Sequence, residues 1–260
     1  MTEINSNAAH PNGRLLLFGD SIAMGLGVRQ QKYGELIAHR LDMELVDYSN
    51  TGWTVSQSLS AFEREPVSGT VAIIAHGVTE PILRPVLPKW LPLPARWRRL
   101  GWMDPRPYFS TRKSRRAAEI LESEIRWRLK NVLAWLFGTH QLASLPTYSK
   151  DLRLLKESCE GLGARVIILG PPDIDDRYFP GSAYEQLRYG RITERIAGAD
   201  FVPVAGVVNR WGDYLADHFH PNDCGHQAIA ELILEHIHGT RQDGGRPGSA
   251  AFARPSRDDG

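Results

Sequence analysis

Short apolar runs alternate with longer helical patterns along most of this chain. Five runs rich in Val, Ile and Leu lack a clean apolar and polar alternation, which is typical of parallel strands covered on both faces. They are Arg14–Phe18, Met43–Tyr48, Thr70–Ala75, Ala164–Leu169 and Phe201–Val204. Apolar positions at helical spacing lie between or after these runs. They predict helices over Gln31–Leu41, Ser149–Leu162, Ser182–Ala197 and Cys224–His238.

Strands that alternate with helices predict an α/β fold with a parallel sheet and right-handed crossovers. We expect three α/β/α layers around a flavodoxin-like five-stranded sheet with strand order 2-1-3-4-5 and a helical insertion. Residues 14–238 are expected to form a single domain. Residues 1–13 are expected to be a flexible N-terminus, and residues 239–260, rich in Gly, Arg, Pro, Ser and Asp, a disordered tail.

The regular alternation is interrupted over about residues 81–145, a stretch far longer than a crossover needs. Its first part, Pro81–Pro107, is rich in Pro, Arg and Trp and predicts little regular structure. Its second part, Arg115–Gly138, predicts a long amphipathic helix. The apolar face of that helix consists of Leu121, Ile125, Leu129, Val132 and Leu136. We interpret the whole segment as an insertion that forms a cap or lid.

Composition narrows the class of protein. The 260 residues have a formal net charge of +1, so overall charge does not indicate a nucleic-acid partner. Two cysteines provide no disulfide framework, which suits a reducing compartment. The polar first residues do not resemble a signal peptide, and no run of 18 apolar residues occurs. We therefore expect a cytoplasmic protein; its oligomeric state stays open.

Two short motifs could supply the chemistry of ester cleavage. Gly19-Asp20-Ser21 follows the first apolar run, and Asp217 precedes His220 by three positions near the other end of the chain. Hydrolysis of an ester by a nucleophile needs an activated hydroxyl, a base that takes its proton and a carboxylate that orients the base. Ser21, His220 and Asp217 offer these three groups if the fold brings them together.

Topology predicts that several loops meet at one edge of the sheet. In an open parallel sheet, ligands bind beyond the carboxyl ends of the strands, where the strand order reverses. Ser21 follows the first predicted strand, Asn50 the second and His76 the third, while the Asp217–His220 segment precedes the last helix. The order 2-1-3-4-5 would place all four loops at that edge.

These residues resemble the SGNH or GDSL hydrolases over about residues 14–80 and 150–238. The matching runs are Phe18-Gly19-Asp20-Ser21, Asn50-Thr51-Gly52 and Asp217-His218-Phe219-His220-Pro221. The resemblance implies that Ser21 is the nucleophile, His220 the base and Asp217 the carboxylate that orients the base. It also implies that the amides of Ser21 and Gly52 face the oxyanion.

One block departs from the family pattern. The family usually has Gly-x-Asn-Asp, with the asparagine amide directed at the oxyanion, and this chain has Gly77-Val78-Thr79-Glu80. Thr79 offers a hydroxyl as the third oxyanion donor, although threonine hydroxyls also bond to nearby backbone. Loss of one such donor typically costs about 10²–10³ in rate. Further residues expected to contact substrate are Asp20, Asn50, His76, Gly77 and Glu80.

The resemblance implies a serine esterase that acts on a small-molecule or glycan ester. An O-acyl group on a sugar, glycolipid or natural-product scaffold is the expected substrate. An acyltransferase on the same fold and a catalytically impaired binding protein are the alternatives. We expect no cofactor and no metal, because the pair His218 and His220 lacks a third ligand at suitable spacing.

The predicted insertion carries the strongest local charge. From Arg84 to Lys130 there are 13 Lys or Arg residues against four acidic residues, and five of the seven tryptophans lie here or just beyond. Three interpretations stay open at this point. The segment is a solvated basic face whose aromatics pack on the sheet, it recognises an anionic or glycan-bearing substrate, or it makes a weak contact with a membrane surface.

Overall fold

The computed structural model describes residues 12–242, with no side-chain detail for residues 240–242. Its strands are β1 (Arg14–Gly19), β2 (Glu44–Ser49), β3 (Val71–Ala75), β4 (Arg84–Pro85), β5 (Thr139–His140), β6 (Arg165–Leu169) and β7 (Phe201–Val202). Its α-helices are α1 (Ser21–Met24), α2 (Tyr33–Leu41), α3 (Val55–Arg64), α4 (Lys113–Phe137), α5 (Leu145–Gly161), α6 (Ser182–Ala197) and α7 (Asp223–Gln242). Ala95–Arg98 and Gly198–Asp200 form short 3₁₀ turns.

Five strands form one parallel sheet in the order β2-β1-β3-β6-β7. Because β4 and β5 lie outside this sheet, the order of its strands is the predicted 2-1-3-4-5. The register pairs Gly19 with both Ser49 and Ala75, so β1, β2 and β3 end side by side. The prediction of a three-layer α/β/α fold is confirmed, and the reversal of strand order lies between β1 and β3.

Each face of the sheet has its own apolar core. On one face, Leu15 and Leu17 pack with α2 and α7; on the other, Leu16 and Phe18 pack with α3, α5 and α6. All four side chains are fully buried. Burial on both faces explains why these strands have no polar alternation in the sequence.

Several boundaries differ from the sequence prediction. Helix α3 was not predicted, although Thr54 and Gln57 form a capping box at its start, a pattern visible in the sequence. Gly181 is the N-cap of α6, and the Ser182 hydroxyl accepts a hydrogen bond from the Leu83 amide. Helix α5 begins at Leu145, four residues before the predicted start.

The predicted ends of the domain lie largely outside the described residues. Residues 1–11 and 243–260, which contain most of the expected flexible N-terminus and tail, are not described. Helix α7 continues to Gln242, four residues beyond the predicted end of the last helix at His238. Within residues 12–242, no helix combines the length and the hydrophobicity needed to cross a membrane.

The insertion contains a two-residue ladder and one long helix. Strand β4 pairs antiparallel with β5, and α4 forms the second half of the connection between them. Three of the buried residues of α4 are polar, namely Ser123, Arg126 and Lys130. The other two are Trp127 and Leu133. The predicted apolar face points the other way: Leu121, Ile125, Val132 and Leu136 are exposed, and Leu129 is half-buried.

Candidate active site

Ser21 is the first residue of a short helix that follows β1 directly. Asp20 is the N-cap of α1, and its carboxylate accepts a hydrogen bond of 2.9 Å from the Ile22 amide. The cap turns the chain sharply at the end of β1, which places the Ser21 side chain at the carboxyl edge of the sheet. Ser21 is 4% exposed.

The loop before α7 brings His220 to the same edge. The Asp217 Oδ1 atom accepts hydrogen bonds of 3.1 Å from the amides of Phe219 and His220, which closes this loop into a turn. The Asp217 Oδ2 atom lies 2.6 Å from His220 Nδ1. Asp217 and His220 are both buried, so the hydrogen bond between them has little competition from water.

Ser21, His220 and Asp217 form one continuous chain of hydrogen bonds. His220 Nε2 lies 2.9 Å from Ser21 Oγ, across 199 positions of sequence. When Nδ1 donates its proton to Asp217, Nε2 has a lone pair that accepts the Ser21 hydroxyl proton. This is the arrangement that activates a serine as a nucleophile.

Two backbone amides near Ser21 lack acceptors within the part of the chain that the structure describes. The Ser21 amide lies at the first position of α1, where a helix provides no partner for it. The Gly52 amide belongs to the turn after β2, between Thr51 and Trp53 amides that bond to Asn50. Gly52 has φ +71°, a left-handed conformation that favours glycine.

Thr79 is turned away from the role that the sequence suggested. Its hydroxyl donates a 2.6 Å hydrogen bond to Asp20 Oδ2 within the protein interior. A threonine hydroxyl has one proton, so a hydroxyl engaged in this way has none for an oxyanion. Burial raises the pKa of Asp20, while the hydrogen bond from Thr79 opposes that rise. The arrangement does not support Thr79 as an oxyanion donor.

His76 and Glu80 lie below the site, in the protein interior. Glu80 accepts hydrogen bonds from the amides of Val55 and Gly77, at 2.9 and 3.0 Å, and therefore ties α3 to the loop after β3. His76 Nε2 lies 2.9 Å from Ser58 Oγ. Burial alone raises the pKa of Glu80, but the hydrogen bond and charge of His76 outweigh it, and the pKa is lowered.

The residues that were predicted to contact substrate differ in their exposure to solvent. His76 and Glu80 are buried almost completely and hold the loop, so neither side chain meets solvent. Gly77 has φ +99°, and a Cβ there would lie 2.8 Å from the Tyr148 hydroxyl. Asn50 is exposed at the rim, where its side-chain oxygen accepts from the Thr51 amide.

His218 takes part in a separate contact. Its Nδ1 atom lies 2.7 Å from Asp175 Oδ2, and its ring stacks on Trp211 at 4.8 Å between centroids. His218 and His220 therefore have different carboxylate partners. Within the described part of the chain, no group of three His, Cys, Asp or Glu residues is arranged to hold a metal ion.

The insertion covers the edge where these residues meet. A Cβ on Gly52 would lie 2.8 Å from Leu100 Cδ2, so the insertion touches the turn after β2. The Pro107 carbonyl accepts a 2.9 Å hydrogen bond from Ala216, one residue before Asp217. The guanidinium of Arg84 donates to the Thr79 carbonyl at 2.9 Å. Sequence reasoning did not single out Arg84 within the basic segment, because charge counts do not reveal which cation lies half-buried beside the site.

The fold of this chain occurs in solved structures of enzymes. LAE5, an alpha/beta hydrolase enzyme from the metagenome of Lake Arreo, is 17% identical with a TM-score of 0.56, over 88% of this chain and 96% of LAE5. Axe2, an acetylxylan esterase from Geobacillus stearothermophilus, is 19% identical with a TM-score of 0.53, over 86% of this chain and 93% of Axe2.

EstA, a psychrotrophic esterase from Pseudoalteromonas sp. inhibited by monoethylphosphonate, is 13% identical with a TM-score of 0.51, over 88% of this chain and 99% of EstA. Two structures of Axe2 are of catalytic mutants in which a serine or an aspartate is replaced by alanine. At these identities the likeness concerns the fold. No family model and no curated protein matches the chain.

Proposed function

We propose that this protein is a serine hydrolase of the SGNH type that cleaves carboxylic O-acyl esters. A sugar, glycolipid or natural-product scaffold is the proposed carrier of the acyl group. The observation that carries the proposal is the hydrogen-bonded chain from Ser21 through His220 to Asp217, at 2.9 and 2.6 Å. Three residues of these types, distant in sequence and joined in this order, form the constellation of a nucleophilic hydrolase.

The proposed reaction has two halves. Ser21 Oγ attacks the acyl carbonyl carbon while His220 Nε2 takes the hydroxyl proton, and that proton then passes to the leaving alcohol oxygen. The product is an acyl-serine ester. Water then attacks this ester, His220 takes a proton from the water, and the same proton returns to Ser21 Oγ as the acid leaves. Asp217 keeps the imidazole in the required orientation and stabilises its charged form.

The proposed oxyanion hole consists of the Ser21 and Gly52 amides. Neither N–H group has an acceptor among residues 12–242, and backbone donors need no reorganisation during the reaction. Thr79 contributes indirectly, because its hydrogen bond to Asp20 supports the residue that caps α1. The enzyme therefore works with one donor fewer than the usual family pattern, for which we expect a rate about 10²-fold lower.

The structural comparisons support this proposal at the level of the fold. Acetylxylan esterase Axe2 shares the fold, and its catalytic mutants replace a serine and an aspartate. EstA is inhibited by a phosphonate, a reagent class that reacts with activated serines. A comparable reaction at Ser21 is the most direct test for this chain.

A fluorophosphonate probe and a simple phenyl ester test the proposed nucleophile. We expect the native protein to be labelled and to hydrolyse 4-nitrophenyl acetate, and Ser21→Ala to lose labelling and about 10³-fold or more of the turnover. Ser60→Ala, which alters an exposed serine of α3, is the control that should retain both. Full turnover in Ser21→Ala would refute the proposal, and an unlabelled native protein would favour a binding protein on this scaffold.

Acyl transfer is the second candidate, favoured by the burial of the reacting groups. Ser21 and His220 are 4% and 8% exposed beneath the insertion, which limits the access of bulk water to an acyl-serine. Supplying an acyl donor with and without sugar alcohols distinguishes the two outcomes. Formation of the new ester, at the expense of free acid, identifies a transferase; free acid alone identifies a hydrolase.

A further inference from the structure

A cavity of about 340 Å³ lies between the loop after β4 and helix α4. Its lining includes Arg84, Trp97, Arg99, Asp104 and Lys130. The volume falls within the usual range of small-molecule sites, about 300–1,000 Å³. None of these residues belongs to the serine, histidine and aspartate chain, so the cavity is a separate part of the site.

The charge of the lining is strongly unbalanced. Four cationic side chains, Arg84, Arg98, Arg99 and Lys130, face one carboxylate, Asp104. Asp104 is already paired with Lys130 at 2.7 Å. A concave surface with an excess of positive charge attracts anions, because the fields of its charges add together.

Two of the cations have no anionic partner of their own. The Arg84 guanidinium donates to the carbonyls of Thr79 and Ile82, yet its Nε is buried without an acceptor among the described residues. The Arg99 side chain has no hydrogen bond or ion pair within residues 12–242. Arg98, in contrast, donates to carbonyls of its own loop and serves to close that loop.

The cavity adjoins the proposed catalytic residues. Leu100, which lines it, is the residue that a Cβ on Gly52 would meet. Arg84, which also lines the cavity, donates a 2.9 Å hydrogen bond to the carbonyl of Thr79 in the loop after β3. A substrate whose carbonyl lies at Ser21 can therefore extend another group into this cavity.

We propose that the cavity binds an anionic oxygen group, such as a carboxylate or phosphate, that belongs to the ester substrate. Arg84 and Arg99 are its cationic partners, and planar guanidinium groups suit both kinds of anion. Lys130 is paired with Asp104, and its charge adds to the positive potential of the cavity. The proposal rests on the proposed function, because it assumes that the acyl ester of the same molecule lies at Ser21.

Two esters that differ in charge alone measure this specificity. 4-Acetoxybenzoate and 4-acetoxybenzamide share the acetyl group and the ring, and the remote group is an anion in the first and a neutral amide in the second. We expect the native protein to have the higher kcat/KM for the anion. The ratio of the two kcat/KM values should fall roughly threefold to tenfold in Arg99→Gln, the loss of one partly solvated charged contact.

Two variants control this experiment. Arg99→Lys keeps the charge and should retain most of the preference for the anion. Arg40→Gln, on the exposed surface of α2, removes a cation that does not line the cavity and should leave both rates unchanged. An unchanged ratio in Arg99→Gln, or an equal fall in Arg40→Gln, would overturn the proposal.

A binding measurement separates failure of this proposal from failure of the proposed function. Calorimetry with 4-hydroxybenzoate and 4-hydroxybenzamide needs no turnover, so it applies equally to the native protein and to Ser21→Ala. Tighter binding of the anion that is lost in Arg99→Gln supports the cavity even if no ester is cleaved. Equal binding of the two compounds overturns the cavity even if Ser21 is catalytic.

Competition by inorganic phosphate tests whether the anion that binds in the cavity is part of the substrate or a separate ion. If the substrate supplies the charged group, phosphate should compete with 4-acetoxybenzoate and raise its KM, with little effect on the KM of the amide. If phosphate binds without changing the KM of the anionic ester, the cavity holds a separate small ion and the assignment to the substrate is wrong.

Discussion

The sheet buries its apolar residues, whereas the long helix of the insertion exposes its predicted apolar face. In the sheet, Leu15, Leu16 and Leu17 are all fully buried, because helices cover both faces. In the insertion, α4 exposes Ile125 and Val132 and turns its polar side inward. Apolar residues that the sequence predicts to be buried are therefore buried in the sheet and exposed on α4.

The contacts of α4 explain its orientation. Lys130 pairs with Asp104 and lies 4.0 Å above the Phe179 ring, and the Arg126 guanidinium lies 4.0 Å above the Trp102 ring. These charged and aromatic contacts occupy the inner side of the helix. The comparison shows that an amphipathic pattern defines the two faces of a helix, but the partners available nearby decide which face is buried.

The largest expected change in the free energy of unfolding comes from comparing two isoleucines, one in the sheet and one in the insertion. Ile73 in β3 is 0% exposed and Ile125 in α4 is 54% exposed. We expect Ile73→Ala to lower the free energy of unfolding by about 3–4 kcal/mol, the cost of a core cavity. Ile125→Ala should change it by less than about 0.5 kcal/mol. Urea denaturation of both variants measures this, and similar losses would show that α4 buries its apolar face.

A buried histidine on the sheet side makes stability depend on pH. Burial lowers the pKa of His226 from the usual 6.5 to about 4, while its Nδ1 accepts a hydrogen bond from the Tyr33 amide. Between these two pH values the unfolded chain binds a proton that the folded chain does not. The contribution of neutral His226 to the free energy of unfolding is therefore fully present above pH 6.5 and is lost as the pH falls towards 4.

Because each pH unit corresponds to about 1.4 kcal/mol, His226 accounts for roughly 3 kcal/mol of this loss. We expect His226→Gln to reduce the fall in unfolding free energy between pH 7 and pH 4 by about that amount. His39→Gln, which alters an exposed histidine of α2, should not. Parallel pH curves for native protein and His226→Gln would contradict the assignment.

The contribution of the insertion to stability can be tested at the ion pair between Lys130 and Asp104. Lys130 and Asp104 have side-chain exposures of 4% and 22%, whereas Arg14 and Glu44 at the sheet edge are 46% and 50% exposed. We expect Lys130→Met to cost about 2 kcal/mol of unfolding free energy, because it leaves a partly buried carboxylate without its ion-pair partner. Arg14→Gln should cost less than about 0.5 kcal/mol.

The double variant Lys130→Met with Asp104→Leu makes the test specific. It should recover much of the loss, because an apolar pair replaces a broken buried ion pair. Thermal or urea unfolding of the native protein, Lys130→Met, Asp104→Leu and the double variant completes the cycle. No recovery would mean that Lys130 stabilises the insertion through its packing on Phe179 instead.

The smallest expected effect lies where the two regions touch. Gly52 and Gly163 both have positive φ, at +71° and +87°, but a Cβ on Gly52 meets Leu100 and one on Gly163 meets nothing within 4 Å. We expect each Ala substitution to cost about 1 kcal/mol of unfolding free energy from backbone strain. Only Gly52→Ala should also lower kcat/KM for 4-nitrophenyl acetate. Adding Leu100→Ala should restore part of that activity; equal activity of the two glycine variants would count against the contact.

Much of the site could be predicted because its parts belong to local turns. Ser21 lies two residues past the end of β1, and the Asp217 carboxylate fixes His220 by accepting hydrogen bonds from the amides of Phe219 and His220. Such local turns depend on neighbouring residues in the chain, so a sequence motif contains most of the information. The positions of Thr79 and Glu80 were less predictable, because their partners, Asp20 and the Val55 amide, belong to other segments.

The sequence by itself therefore determined the α/β class, the order of the sheet and the three residues of the hydrogen-bonded chain. Apolar runs and short motifs encode these features locally, and the topology of parallel strands leaves few alternatives. Only the tertiary structure decided that Thr79 bonds to Asp20, that α4 turns its charges inward, and that Arg84 and Arg99 line one cavity. Those outcomes depend on contacts between distant segments, whose energies no local pattern records.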